Sequence, residues 1–136
     1  MARSVSGLFE HQAQVDSVVG ALRDAGLETA QISIIDPDAP PPEEAADTLA
    51  RVPGEHPRNR LSSWVATHLR HRGVADDHAE RLGERVAGGR RLVNVAVTSD
   101  AQDDDARNLM VTAGAEEISS ATDGKMIHIV RPGGPT

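Results

Sequence analysis

The sequence predicts an α+β chain assembled from two related β-α-β halves, and three observations carry that expectation. The segment Val5-Ser6-Gly7-Leu8-Phe9 is followed by an apolar stripe at helical spacing, a closing Ala25-Gly26, and an isoleucine-rich run from Ile32 to Ile35. The same succession returns as Leu92 to Val97, a stripe through Ala106, Leu109, Met110 and Ala113, then Gly114 and Ala115 to Ser120. At an offset of 88 residues (5 to 93), Val5 falls on Val93, Leu22 on Met110 and Ala25-Gly26 on Ala113-Gly114, and Glu28 and Glu116 follow each glycine by two.

The elements follow in order. Arg3 to Phe9 alternates Val5, Gly7 and Phe9 with Ser4, Ser6 and Leu8, as a strand does. Val15, Val18, Val19 and Leu22 recur at i, i+3, i+4 and i+7, one face of a helix. Gly26 suits the left-handed residue that ends it. Ala30 to Asp36 is the second strand, closed by Asp36-Pro37. Residues 37–60 are proline-rich: Pro37 to Pro57 holds six of the eight prolines, and only Glu43 to Arg51 admits a short helix. Residues 61–89 then read as a helical hairpin. Leu61, Trp64, Val65, His68 and Leu69 share one face, and Gly73 stops that helix. In the second helix Ala79, Leu82 and Val86 form the stripe, Asp76 or Asp77 is placed to cap it with Glu80 as partner, and Gly88-Gly89 ends it. The second β-α-β half occupies 91–120. Thr122-Asp123-Gly124-Lys125 is a turn leading to an edge strand, Met126 to Val130, and a tail from Arg131 completes residues 121–136. Two β-α-β units sharing a sheet make a ferredoxin-like sandwich with an antiparallel sheet and helices on one face, here with a helical hairpin inserted between the halves, in a single domain spanning residues 1–136.

Composition narrows the function. The chain has 136 residues, one Phe and one Trp, so its core is built from Ala, Val, Leu and Ile. A net charge of −7 disfavours binding to nucleic acid or to an anionic membrane surface. With no cysteine there is no disulfide framework and no thiol nucleophile. No apolar run reaches membrane-spanning length and the first residues lack a signal-peptide core, which leads us to expect a cytoplasmic protein.

The order of motifs resembles the bacterial general stress protein family, also called heat-induced stress proteins. The resemblance is carried by SVSGLFEHQAQVDSVVGALRDAGL, ISIID, GVADDHAERLGERVAGGRRLVNVAV and ARNLMVTAGAEEI, over roughly residues 3 to 119. Members often have a tyrosine in the second inserted helix, where this chain has His78 and Leu82. The resemblance implies induction under stress and a domain without catalysis.

Four sets of residues are candidates for chemistry. Glu10, His11 and Gln12 follow the first strand, and Thr98, Ser99 and Asp100 the third. In the duplicated fold the ends of these two strands are expected side by side, and free helix amides there favour a polar or anionic ligand, although Ser99 or Asp100 also serves as an ordinary N-cap. His68 and His71, spaced i, i+3, and His78 in the next helix are a candidate zinc set, with His56 as a fourth ligand. Alternatively, His68 is a boundary histidine, and His71 and His78 face solvent. Trp64 with Arg58, Arg60, Arg70 and Arg72 is a candidate interface, because Arg51 to Arg72 carries five arginines against Glu55 alone. That segment also reads as a solvated helix face. Gly88-Gly89-Arg90-Arg91 has the helix-then-strand order of a C-cap rather than a phosphate loop, and Asp103-Asp104-Asp105 reads as a solvated first turn. No catalytic constellation or cofactor motif is present. The expected function is association without enzymatic activity, as a homodimer or larger homo-oligomer. A small-ligand sensor and a histidine-based metal protein are the alternatives.

Overall fold

A computed structural model describes residues 3–37 and 57–130, with residues 57–60 described in backbone only. The expected short helix at 43–51, His56 and the tail from Arg131 lie outside the described residues. The chain is α+β, with four helices and a five-stranded antiparallel sheet among the described residues. In chain order the elements are β1 (Arg3–Phe9), α1 (Gln12–Asp24), a 3-10 turn (Thr29–Gln31), β2 (Ile32–Ile35), α2 (Pro57–His71), α3 (Asp76–Ala87), β3 (Arg91–Ala96), α4 (Asp100–Thr112), β4 (Glu117–Thr122) and β5 (Lys125–Val130). The strands lie in the order β2-β3-β1-β4-β5.

Alternation along the strands divides the core in two. Val5, Phe9, Val93, Val95 and Ile118 face α1 and α4, where they pack against Val15, Val18, Leu22, Ala106 and Met110. Leu8, Ile35, Leu92 and Ala121 face the opposite way, against Val65, Ala66 and Leu69 of α2 and Ala79, Leu82 and Val86 of α3. Helices therefore cover both faces of the sheet, not one. The α2–α3 pair has its own apolar stripes, and these are buried only by lying on the second face.

Local signals place the element ends. Gly26 (φ 97°) and Gly114 (φ 88°) close α1 and α4 in the left-handed conformation. Each closure carries the same set of bonds: Gly26 N–H to Arg23 O and Leu27 N–H to Leu22 O, then Gly114 N–H to Val111 O and Ala115 N–H to Met110 O. Helix α2 starts at Pro57, inside the expected linker, because proline's fixed φ and missing N–H suit a first helical turn. Ala75, not Asp76 or Asp77, is the N-cap of α3, and the two aspartates lie in its first turn. Strand β4 begins at Glu117, two residues later than its apolar pattern suggests. Asp103 is not solvated. It is buried and accepts hydrogen bonds from Arg3 and Arg107.

Candidate functional site: a polar row beneath the α2–α3 hairpin

The register of the sheet aligns one polar residue from each of four strands. Ser33 of β2 is opposite Asn94 of β3, Asn94 is opposite Ser6 of β1, and Ser6 is opposite Ser119 of β4. All four side chains share the face covered by α2 and α3, because they alternate with residues of the α1/α4 core. Apolar groups flank this row, with Ile35, Leu92 and Leu8 on one side and Ala96 and Ala121 with Ser4 on the other. At about 4.8 Å per strand the row spans roughly 14 Å from β2 to β4.

Asn94 stands at its centre, fully buried. Its Nδ2 donates to Ser6 Oγ at 2.8 Å and to Ser4 Oγ at 3.0 Å. Its Oδ1 has no partner among the described residues. Exchanging the two ends of the amide would let the serines donate instead, but one end would still be unmatched. An unmatched buried amide end costs about 1–3 kcal/mol, so this core face is less stable than its apolar counterpart.

A histidine from the hairpin closes each end of the row. At β2, Ser33 Oγ accepts from Arg72 Nη2 at 2.8 Å and lies 3.2 Å from His68 Nε2. Arg72 also donates from Nη1 to Gln31 O at 3.3 Å. Burial pushes the pKa of the Arg72 guanidinium below its ordinary value. The His68 ring stacks on Trp64, with centroids 5.6 Å apart and planes 22° apart. Burial first, then the charges of Arg72 and His71, hold the His68 imidazolium below the usual histidine range. At β4, His78 Nε2 lies 2.9 Å from Ser119 Oγ, and Arg81 pairs with the buried Glu117 beside it.

This placement corrects two expectations. His68 and His78 sit at opposite ends of the row and His71 is exposed, so the three imidazoles do not converge on a metal. Among the described residues no group of three or more His, Asp or Glu side chains is arranged to hold one. His78 faces the sheet rather than solvent.

The six strand-end residues do not form one site either. Strands β1 and β3 are antiparallel, with Ser4 opposite Ala96 and Phe9 opposite Arg91. The two groups therefore lie beyond opposite ends of the paired strands, roughly 27 Å apart at 3.4 Å per residue. Glu10 and Gln12 are engaged by Arg91, through Glu10 O and Gln12 Oε1, each at 3.1 Å. His11 is the N-cap residue of α1, and its backbone N–H donates to Gln14 Oε1 at 3.0 Å. At the other end, Asp100 pairs with Arg3 at 2.7 Å and Thr98 N–H donates to Gln102 Oε1 at 2.9 Å. Ser99 is the N-cap of α4, accepting from Gln102 N–H at 3.2 Å. Ser99→Ala is expected to cost about 1 kcal/mol in urea unfolding, the ordinary loss of a cap, with no change in the polar row.

The arginine-rich segment is engaged within the chain wherever its side chains are described. Arg70 pairs with Asp76 and Glu80, each at 3.1 Å, and binds α2 to α3. Arg72 is committed to Ser33 and Gln31, and Trp64 is half-buried against the hairpin core. The side chains of Arg58 and Arg60 lie outside the described residues.

The serines and Asn94 were missed because alternating polar residues on a strand ordinarily mark a solvent face. The available signal was the apolar stripe of the intervening hairpin, which needs a sheet face to cover. No family model, curated protein or solved structure matches this chain.

Proposed function

We propose that the chain is a non-enzymatic, stress-associated cytoplasmic protein that works by pairing with a second copy of itself, and that β5 is the pairing edge. The observation that carries this reading is the exposure of β5, where Ile127 is 55%, Ile129 50% and Val130 43% accessible. An edge strand with free backbone groups and exposed apolar side chains is a template for another strand.

The strand is also complementary to itself. A twofold axis normal to the sheet, between Ile127 and His128, sets Met126 against Ile129 of the second copy and Lys125 against Val130. Each pair then shares a face, because Met126 and Ile129 continue the Ala121 and Ser119 face, while Lys125 and Val130 continue that of Thr122 and Ile118. No like charges meet across the axis, and isologous pairing of this kind closes at a dimer.

The stress association rests on the resemblance in motif order. A ferredoxin-like reading of the sheet with an inserted helical hairpin is supported by the order β2-β3-β1-β4 and by the position of α2 and α3 between β2 and β3. Duplication is supported by Ser6 pairing with Asn94, its own equivalent at the 88-residue offset. A local twofold relating the halves would pass through that pair.

Light scattering over a concentration series tests the association. The wild-type chain is expected to form a dimer that dissociates on dilution. Ile129→Lys is expected to remain monomeric, with the unfolding midpoint of the dissociated wild-type chain at high dilution, because the side chain is exposed in the single chain. A monomeric wild type at every concentration, or an Ile129→Lys dimer as tight as wild type, would refute the proposal.

A further inference from the structure

We propose that the α2–α3 hairpin is a pH-released clasp, fastened to β2 through His68 and Ser33 while the imidazole is neutral and lifting from the polar row when it is protonated. This proposal is independent of how copies of the chain associate.

The hydrogen bonds at Ser33 set the requirement. Its hydroxyl oxygen already accepts from the Arg72 guanidinium. In the neutral tautomer that carries its proton on Nδ1, His68 Nε2, 3.2 Å away, accepts the hydroxyl proton. Protonating Nε2 removes that acceptor and brings a second cation to the oxygen that Arg72 occupies.

The surroundings offer little to neutralise this charge. On its own helix and the turn that follows it, the neighbours are Arg72 and His71. Strand β2 presents the neutral Ser33, and Asp36 just beyond that strand is 3.8 Å from Arg91. On α3, Asp76 and Glu80 are both held by Arg70. On β3 the facing residue is Asn94. At the far end of the row, Arg81–Glu117 and the His78–Ser119 contact retain α3, and Gly124 N–H to Gly73 O at 2.8 Å tethers the loop between the helices. Release therefore begins at α2.

The direction with pH follows from linkage. The folded chain binds this proton less readily than the unfolded chain, whose value is about 6.5. The contribution of His68 to stability is full above that pH and is lost as pH falls below it. Carboxylates ordinarily titrate near pH 4, outside this window.

The chain's one tryptophan, Trp64, stacks on His68 and reports its charge directly. The test is a fluorescence titration of the full chain from pH 8 to 5, paired with amide hydrogen exchange corrected for intrinsic rates. The expected result is a single emission change with a midpoint below 6.5, absent in His68→Gln. Exchange protection of α2 should fall in step, while β1 and β3 stay protected. Arg72→Gln, which removes the adjacent cation, should move the midpoint upward. The indole face itself attracts a cation. A midpoint above 6.5 with α2 still protected would mean that this attraction wins, and the clasp would be refuted. The same transition in His68→Gln, or simultaneous loss of protection in β1 and β3, would also overturn it.

Discussion

Gly83→Val is expected to destabilise the protein by about 3 kcal/mol, the upper end of the usual overpacking range. Gly83 is buried in α3, where a Cβ would fall on the backbone carbonyl oxygen of Ser62 in α2. A flexible side chain would yield to the new methyl group, whereas a helix backbone must move as a unit. The two helices would have to separate, weakening the packing of Val65, Leu69, Ala79 and Leu82 in one step. Valine gains little helix propensity over glycine to offset the clash, and its β-branch fixes where the added atoms point. Gly83→Ala is expected to lose less, because alanine's propensity returns about 1 kcal/mol. Gly20→Ala in α1 is the control. Nothing lies within 4 Å of its added Cβ, so the propensity term acts alone and the variant should gain about 0.5–1 kcal/mol. Urea midpoints for the three variants should therefore fall on both sides of wild type. A Gly83→Ala variant as stable as Gly20→Ala would show that the α2–α3 approach does not constrain the chain.

The contrast between these glycines marks what could be read without coordinates. Features that arise within a few residues were legible: the stripe of Val15, Val18 and Leu22, the closures at Gly26 and Gly114, and the Asp123-Gly124 turn into β5. Features that need two distant segments were not. Ser6 and Asn94 alternate like solvent-facing residues, and only the hairpin lying over them makes them a buried row. His78 was assigned to solvent for the same reason, since a stripe of Ala79, Leu82 and Val86 does not show that its neighbour meets Ser119. The antiparallel sheet was legible from the duplication, and that direction excludes the shared strand end expected for the two polar groups. The antiparallel pairing of β1 with β3 carries Glu10–Gln12 and Thr98–Asp100 to opposite ends of the sheet, where parallel neighbours would have joined them. Gly83 belongs to this second group, since a glycine in a helical run has no local signature of the backbone it approaches.

Asp103→Ala is expected to cost about 2–3 kcal/mol, because it removes one buried acceptor shared by two arginines. The carboxylate is 4% exposed. It receives Arg3 Nη2 at 3.1 Å, Arg3 Nε at 3.3 Å and Arg107 Nε at 2.6 Å. Arg3 begins β1 while Asp103 and Arg107 lie on α4, so the cluster fixes the start of α4 to the end of a central strand. Breaking a fully buried ion pair costs about 3–5 kcal/mol, and the exposure of Arg3 (27%) and Arg107 (25%) reduces that figure, because water can reach each cation once its partner is removed. Asp100 and Asp104 retain one arginine each, which softens the loss further. Asp103→Asn separates shape from charge: it keeps the volume and an acceptor oxygen but turns a donor toward a guanidinium. An intermediate loss of about 1–2 kcal/mol is expected, reflecting charge-assisted bonds replaced by neutral ones. Double-mutant cycles with Arg3→Met and Arg107→Met apportion the cluster. If the two arginines act through the same carboxylate, each coupling should exceed 0.5 kcal/mol and their sum should differ from the single Asp103→Ala loss. If Asp103→Ala proves as stable as wild type, the carboxylate's burial is an incidental result of packing, and the pairing of α4 with β1 comes from the Arg3–Asp100 pair and the packing of Val5 and Gly7 against Met110.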